Sequence, residues 1–221
     1  MRLMAESMNA ARIVFLSGLG VFLLSAVYQW IRVFINANTE DFTQPKGTVL
    51  PAFAYALTGA MMPHKKETAF LHLPTYWMGI AYHLGSFVAL AWLPVHFFEW
   101  RIPDSIMIVC AAVLIPSVFS GLIILIKRIS VSSLRHLSSP DDYFSNALVT
   151  LFQAISSMAL LGIIPVFLVL SIGGLLLMYI PVGKLRHVIF FLIARFFLSW
   201  FYGRRGVWPP KRRILWKKNN H

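Results

Sequence analysis

Charge is what this sequence has least of. Only 13% of its 221 residues are Asp, Glu, Lys or Arg, where an ordinary soluble domain carries about a quarter. The long apolar runs contain no Asp or Glu, which removes the usual acidic waypoint of a proton or cation transporter, and no inverted repeat is evident. Cysteine is almost missing as well. Cys110 is the single one, so an intrachain disulfide, a thiolate zinc site and an iron–sulfur cluster built from this chain are all excluded. Any electron-carrying group must be haem, flavin or quinone, or belong to a partner.

What is present is apolar. Hydrophobic residues make up 58% of the chain and the mean hydropathy is +0.70, the composition of an integral membrane protein. The formal charge is +12, but the basic excess sits in short loops and the C-terminal tail. In a membrane protein such residues report topology and contact with anionic lipid, not nucleic acid.

Taken in order, the chain predicts an all-α bundle of about five transmembrane helices. Ile13–Ile31, between Arg12 and Arg32, reads as a retained first span. Residues 36–68 form a loop whose apolar middle, Val49–Met62, is too short to cross and reads as interfacial or re-entrant. The second span follows Tyr76-Trp77, an aromatic anchor, and covers Gly79–Phe98. The third is Ser105–Ile126, with a kink expected at Pro116. Ser138-Ser139-Pro140-Asp141-Asp142 is a turn and helix-cap signal. From Tyr143 to Gly183 no charge appears, and the run divides into Tyr143–Ile163 and Pro165–Lys184, folding back near Gly162 and Pro165. The membrane domain is then residues 1–187. Residues 188–221 form a second region: a short apolar helix, Val188–Tyr202, lying on or leaving the membrane, and a basic aromatic tail. That region is a candidate docking surface for a partner or an anchor to lipid headgroups.

With five spans, one side receives Arg2, Arg12 and Arg101, and the other the remaining seventeen Lys and Arg. The positive-inside rule places the N-terminus outside and the C-terminus in the cytoplasm.

Three histidines punctuate the second span: His72, His83 and His96. An ionisable side chain within a span is a functional candidate by default. The alternative is a histidine hydrogen-bonded between helices. On an ideal helix His72 falls about 20° from His83, on the same face, and His96 about 220° round. His72 lies at the interface. The predicted topology places His83 in the inner leaflet, at a depth similar to His187 at the close of the fifth span. Two histidines on different helices can hold one haem from its two faces. Lys184 and Arg186 stand beside His187 and are candidates to neutralise haem propionates. Gly79 and Gly85 flank His83 and permit close approach of a macrocycle or of another helix. For a quinone, the candidate polar groups are His72, Tyr76, His96 and Arg135.

Several short motifs resemble the respiratory nitrate reductase gamma subunit. Tyr82-His83-Leu84-Gly85 and Val95-His96-Phe97-Phe98 are similar to its second span, and Leu137-Ser138-Ser139-Pro140 to the approach to its fourth. Tyr179-Ile180-Pro181-Val182-Gly183-Lys184-Leu185-Arg186-His187 resembles the close of its fifth. The similarity covers roughly 76–187 and extends to the membrane subunits of heterodisulfide reductase and of sulfate-reducer electron-transfer complexes. The resemblance implies a quinol-oxidising cytochrome b in a prokaryotic inner membrane, serving a cytoplasmic iron–sulfur or other redox subunit and drawing on menaquinone or ubiquinone. It implies His83 and His187 as ligands of the haem b nearer the cytoplasm. The second haem pair of that family does not carry over: His96 is farther from His83 than the family spacing, and Phe167-Leu168 stand where its partner is expected. One haem is therefore expected. The alternative is a haem-free structural anchor of a multisubunit complex.

Overall fold

The computed structural model describes residues 2–37, 42–62 and 73–210. His72, the His64-Lys65-Lys66-Glu67 run and the basic tail from Lys211 lie outside the described residues. Every regular element among the described residues is helical: α1 (Arg2–Asn36), α2 (Val49–Leu57), α3 (Leu73–Phe97), α4 (Asp104–Ser130), α5 (Ser132–His136), α6 (Pro140–Leu160), α7 (Val166–Tyr179) and α8 (His187–Arg204), with 3-10 turns at Gly59–Met61 and Lys184–Arg186.

Five stretches are long and apolar enough to cross a membrane: Leu3–Asn36, Leu73–Phe97, Asp104–Ser130, Pro140–Leu160 and Lys184–Arg204. The count matches the sequence expectation, but its last member does not. The expected fifth span, Pro165–Lys184, holds a helix of only 14 residues, Val166–Tyr179, closed off at either end by Pro165 and by the turn at Pro181. Val188–Tyr202, expected to be too short, belongs instead to an 18-residue helix. The kink position Pro116 lies inside the single helix Asp104–Ser130.

The chain divides into two compact units. The first comprises Met1–Ile31 and His72–Val188. Its helices pack in alternating directions, as specific contacts show. Lys127 Nζ donates to Thr75 Oγ1 (2.8 Å) at one end of the α3–α4 pair. Gln153 of α6 reaches the Tyr82 carbonyl of α3, 2.9 Å away, and Ser86 Oγ at 2.7 Å, so α3 and α6 run parallel. The turn at residues 161–165 carries Gly162 at φ +70, a left-handed position that suits glycine. Beyond it the chain retraces α6 from end to end, because the Lys184 amide donates to Asp141 in the first turn of α6 (2.8 Å). Although α7 is short, residues 161–184 therefore traverse the full length of a membrane-length helix. Helix α1 joins through glycine: a Cβ on Gly18 would collide with the Gly174 carbonyl, and one on Gly174 with the α1 backbone at Val14 and Phe15. Such close backbone approach is a usual device of helix packing in lipid.

Burial runs opposite to that of a water-soluble bundle. Phe87, Ile108 and Phe119 are each at least 60% exposed, whereas Ser117, Gln153 and Ser156 are fully buried. A surface that apolar needs lipid around it, and the chain is an integral membrane protein.

The second unit comprises Arg32–Leu71 and Ile189–His221. Within it the loop before α2 is stitched to the end of α8: the Lys46 and Gly47 amides both donate to the Arg204 carbonyl (2.6 and 3.0 Å). Gly203 packs against Thr48, Val49 and Ala52, and Trp208 meets Tyr55 edge-on and Tyr202 at a tilt.

Candidate functional site

His83 projects from α3 about 100° from Tyr82, whose ring faces α4 and α6. His83 is exposed, and its Nδ1 lies 2.7 Å from the Gly79 carbonyl one turn back. A carbonyl only accepts, so Nδ1 carries a proton, and in the neutral ring Nε2 is then the nitrogen with the free lone pair. His187 opens α8, is likewise exposed, and places Nδ1 2.8 Å from the Lys184 carbonyl. Both histidines are thus exposed side chains with Nδ1 tied to a backbone carbonyl, as is usual for metal-ligating imidazoles.

The turn that carries His187 is held by two carboxylates at the start of α6. Asp141 accepts from the Tyr179 hydroxyl through Oδ1 and from the Lys184 amide through Oδ2 (2.8 Å). Tyr179 also shares a hydrogen bond with Ser145 Oγ (2.9 Å). Asp142 closes a capping box with Ser139, as the sequence signal predicts. The same carboxylate pairs with Lys184 Nζ at 2.5 Å and with Arg128 at 3.4 Å. A continuous path results through the Lys184 backbone, whose N–H meets Asp141 and whose C=O meets the His187 ring. Lys184, a candidate propionate partner, has its ammonium engaged by Asp142. Arg186 is exposed beside it.

A second polar feature lies deeper and was not singled out from the sequence. Gln153 is fully buried and donates to the Tyr82 carbonyl and to Ser86 Oγ, while its Oε1 accepts from Ser117 (2.8 Å). Ser86 donates to the same Tyr82 carbonyl (2.8 Å), and the Tyr82 hydroxyl bonds the Asn146 carbonyl (3.0 Å) and Thr150 Oγ1 (3.2 Å). Gly85 makes room for this convergence, since a Cβ there would strike the Ser117 side chain. The signal was legible: Asn146, Thr150 and Gln153 follow a four–three spacing that puts all three on one face of a helix.

These contacts also fix levels. Tyr82, next to His83, bonds Thr150, and Lys184, next to His187, bonds Asp141. Thr150 and Asp141 are nine residues apart on α6, or about 13 Å of helix rise. The similar depth expected for the two histidines is therefore not what these hydrogen bonds give. By donor chemistry either histidine would serve as a ligand to a haem iron. One macrocycle between them would require their levels to be closer.

His96 faces the opposite way, toward the interior, as its angle predicts. Its Nε2 is buried and bonds none of the described residues, and its ring lies 5.6 Å from that of Trp92. At the same end of the bundle, Arg12 pairs with Glu99 at 2.5 Å, and Glu99 takes a left-handed conformation (φ 54) in the cap that ends α3. Tyr76 lies on α3 and Arg135 on α5, while His72 is outside the described residues. Among the described residues, no three His, Cys, Asp or Glu side chains gather as a metal-holding group; a bis-imidazole haem uses two. No family model matches the chain, and neither a curated protein nor a solved structure matches it.

Proposed function

We propose that the chain is a haem b-carrying membrane subunit of a quinone-linked oxidoreductase, with His83 and His187 as the imidazole ligands. The observation that carries this reading is the shared state of the two rings: each is exposed, with Nδ1 committed to a backbone carbonyl, on a bundle of membrane-length helices. Bound haem would supply one-electron carriage between menaquinone or ubiquinone in the lipid and an iron–sulfur or other redox partner in the cytoplasm. The chain's own part is to position. Asp141 and Tyr179 hold the Lys184 peptide, which holds the His187 ring, while Gln153 and Ser117 fix the stretch of α3 that bears His83. With Lys184 paired to Asp142, Arg186 is the cation beside His187 available to a propionate. The distribution of basic residues supports an N-terminus outside and a C-terminus in the cytoplasm, and the resemblance alone suggests a prokaryotic inner membrane.

A haem-free structural anchor is the second reading, and the 13 Å difference in level favours it. A reduced-minus-oxidised optical spectrum of the purified, monodisperse protein separates the two. A b-type α-band is the expected result. A well-folded protein that binds no haem when expressed with haem in excess overturns the first reading in favour of the second.

A further inference from the structure

The second unit carries an unusual arrangement of cations. Arg195 lies over the Phe191 ring (5.1 Å to the centroid), Arg204 over Trp200 (5.4 Å) and Arg205 over Phe201 (3.7 Å). Each arginine stands four residues after its ring, so α8 repeats one basic–aromatic couple along its length. From Ile189 to His221 the sequence has eight Lys and Arg and no Asp or Glu. The surroundings are apolar on more than one side: Phe190, Leu192, Phe196 and Leu198 are all more than a third exposed. A helix bathed by water on one face and docked to a soluble protein on the other would show a polar stripe.

Length and composition would allow α8 to cross the bilayer, but Arg195 argues against it. It sits at the middle of the 18-residue helix, and its recorded contacts are Met61 Sδ (2.8 Å) and the Phe191 ring, neither of them anionic. A crossing would put this guanidinium at the hydrocarbon midplane with no carboxylate beside it among the described residues, which is costly. At the headgroup level the same contacts are favourable: the rings occupy the interfacial zone, the guanidinium forks meet phosphates, and no acidic residue of the segment competes.

We infer that α8 (His187–Arg204) lies along the membrane surface and that Arg195, Arg204 and Arg205, just past its end, bind anionic phospholipid headgroups. The inference stands independently of the haem assignment, and its test does not involve haem.

The full chain, with Cys110→Ser, is placed in phosphatidylcholine nanodiscs with and without phosphatidylglycerol. Spin labels go at Phe190→Cys, Ala194→Cys and Leu198→Cys in turn, and depth is read by power saturation against oxygen and a water-soluble nickel chelate. These positions climb the helix by about 6 Å per step. The expected result is one shared, shallow depth for all three, with nickel accessibility falling at least threefold when phosphatidylglycerol is added. The triple change of Arg195, Arg204 and Arg205 to Gln should abolish that response, and the triple change to Lys should retain most of it, which also reports that the substituted helix folds. Labels that deepen steadily by about 6 Å per step would show a crossing helix and overturn the inference. So would a wild-type response that phosphatidylglycerol leaves unchanged, as a protein-docking face or a purely apolar anchor would give.

Discussion

The two ends of the first unit are built differently, though both close pairs of membrane helices. At the end holding Arg12 and Glu99, a single ion pair joins α1 to the cap of α3, and its partners are 33% and 67% exposed. At the other end, Asp141 and Asp142 gather Tyr179, Ser145, Lys184, Arg128 and Ser139 into one network, with Asp142 only 13% exposed. Exposed pairs are screened and worth little, whereas a shielded carboxylate that loses its partners, or partners that lose it, cost the full desolvation of the orphaned groups. The elaborate end is the one that carries His187. A turn that had only to reverse direction would not need it, as the residue 161–165 turn shows by managing with Gly162.

If the contrast is real, substitutions should rank accordingly. Asp141→Ala should have the largest effect. It leaves the Lys184 amide without its acceptor and the Tyr179 hydroxyl with Ser145 alone, about 2–3 kcal/mol of stability by thermal unfolding in detergent, and hydrogen exchange at Lys184–His187 should rise while that of α3 stays put. Gln153→Leu comes next, leaving Ser117 and the Tyr82 carbonyl with fewer partners, about 1–2 kcal/mol by the same measurement; an unchanged unfolding temperature would show that the buried seam does not hold α3 against α6. Asp142→Ala removes a capping box and two ion pairs, and should cost about 1–2 kcal/mol, with amide protection lost chiefly in the first turn of α6. Glu99→Gln should cost less than about 1 kcal/mol. A Glu99 effect as large as that of Asp141 would erase the distinction between the ends.

Much of this was open to inspection in the sequence. Uncharged runs located α3, α4 and α6, because lipid demands them wherever a helix crosses. Ser139 and Asp142 announced their cap, and Gly162 with Pro165 the reversal. Two things were hidden. Helix α8 was underestimated because Arg195 breaks the apolar run, while its helical hydrogen bonding continues regardless of that side chain. The polar interior carries hydrogen-bonding capacity without charge, so no break in the apolar runs marks it. Asn146, Thr150 and Gln153 are neutral, and only their common helical face marks them as a seam. The levels of His83 and His187 could not be had from sequence, since span boundaries do not set the vertical register of one helix against another. That register comes from Thr150 on Tyr82 and from Asp141 on Lys184.

The central claim is that His83 and His187 ligate one haem while His96 does not. It is tested most directly by reduced-minus-oxidised spectra of His83→Ala, His187→Ala and His96→Ala beside the wild type, each checked for monodispersity. The expected outcome is a b-type α-band lost in the first two and kept in the third. A band that survives His83→Ala or His187→Ala, or that vanishes only with His96→Ala, would contradict the assignment.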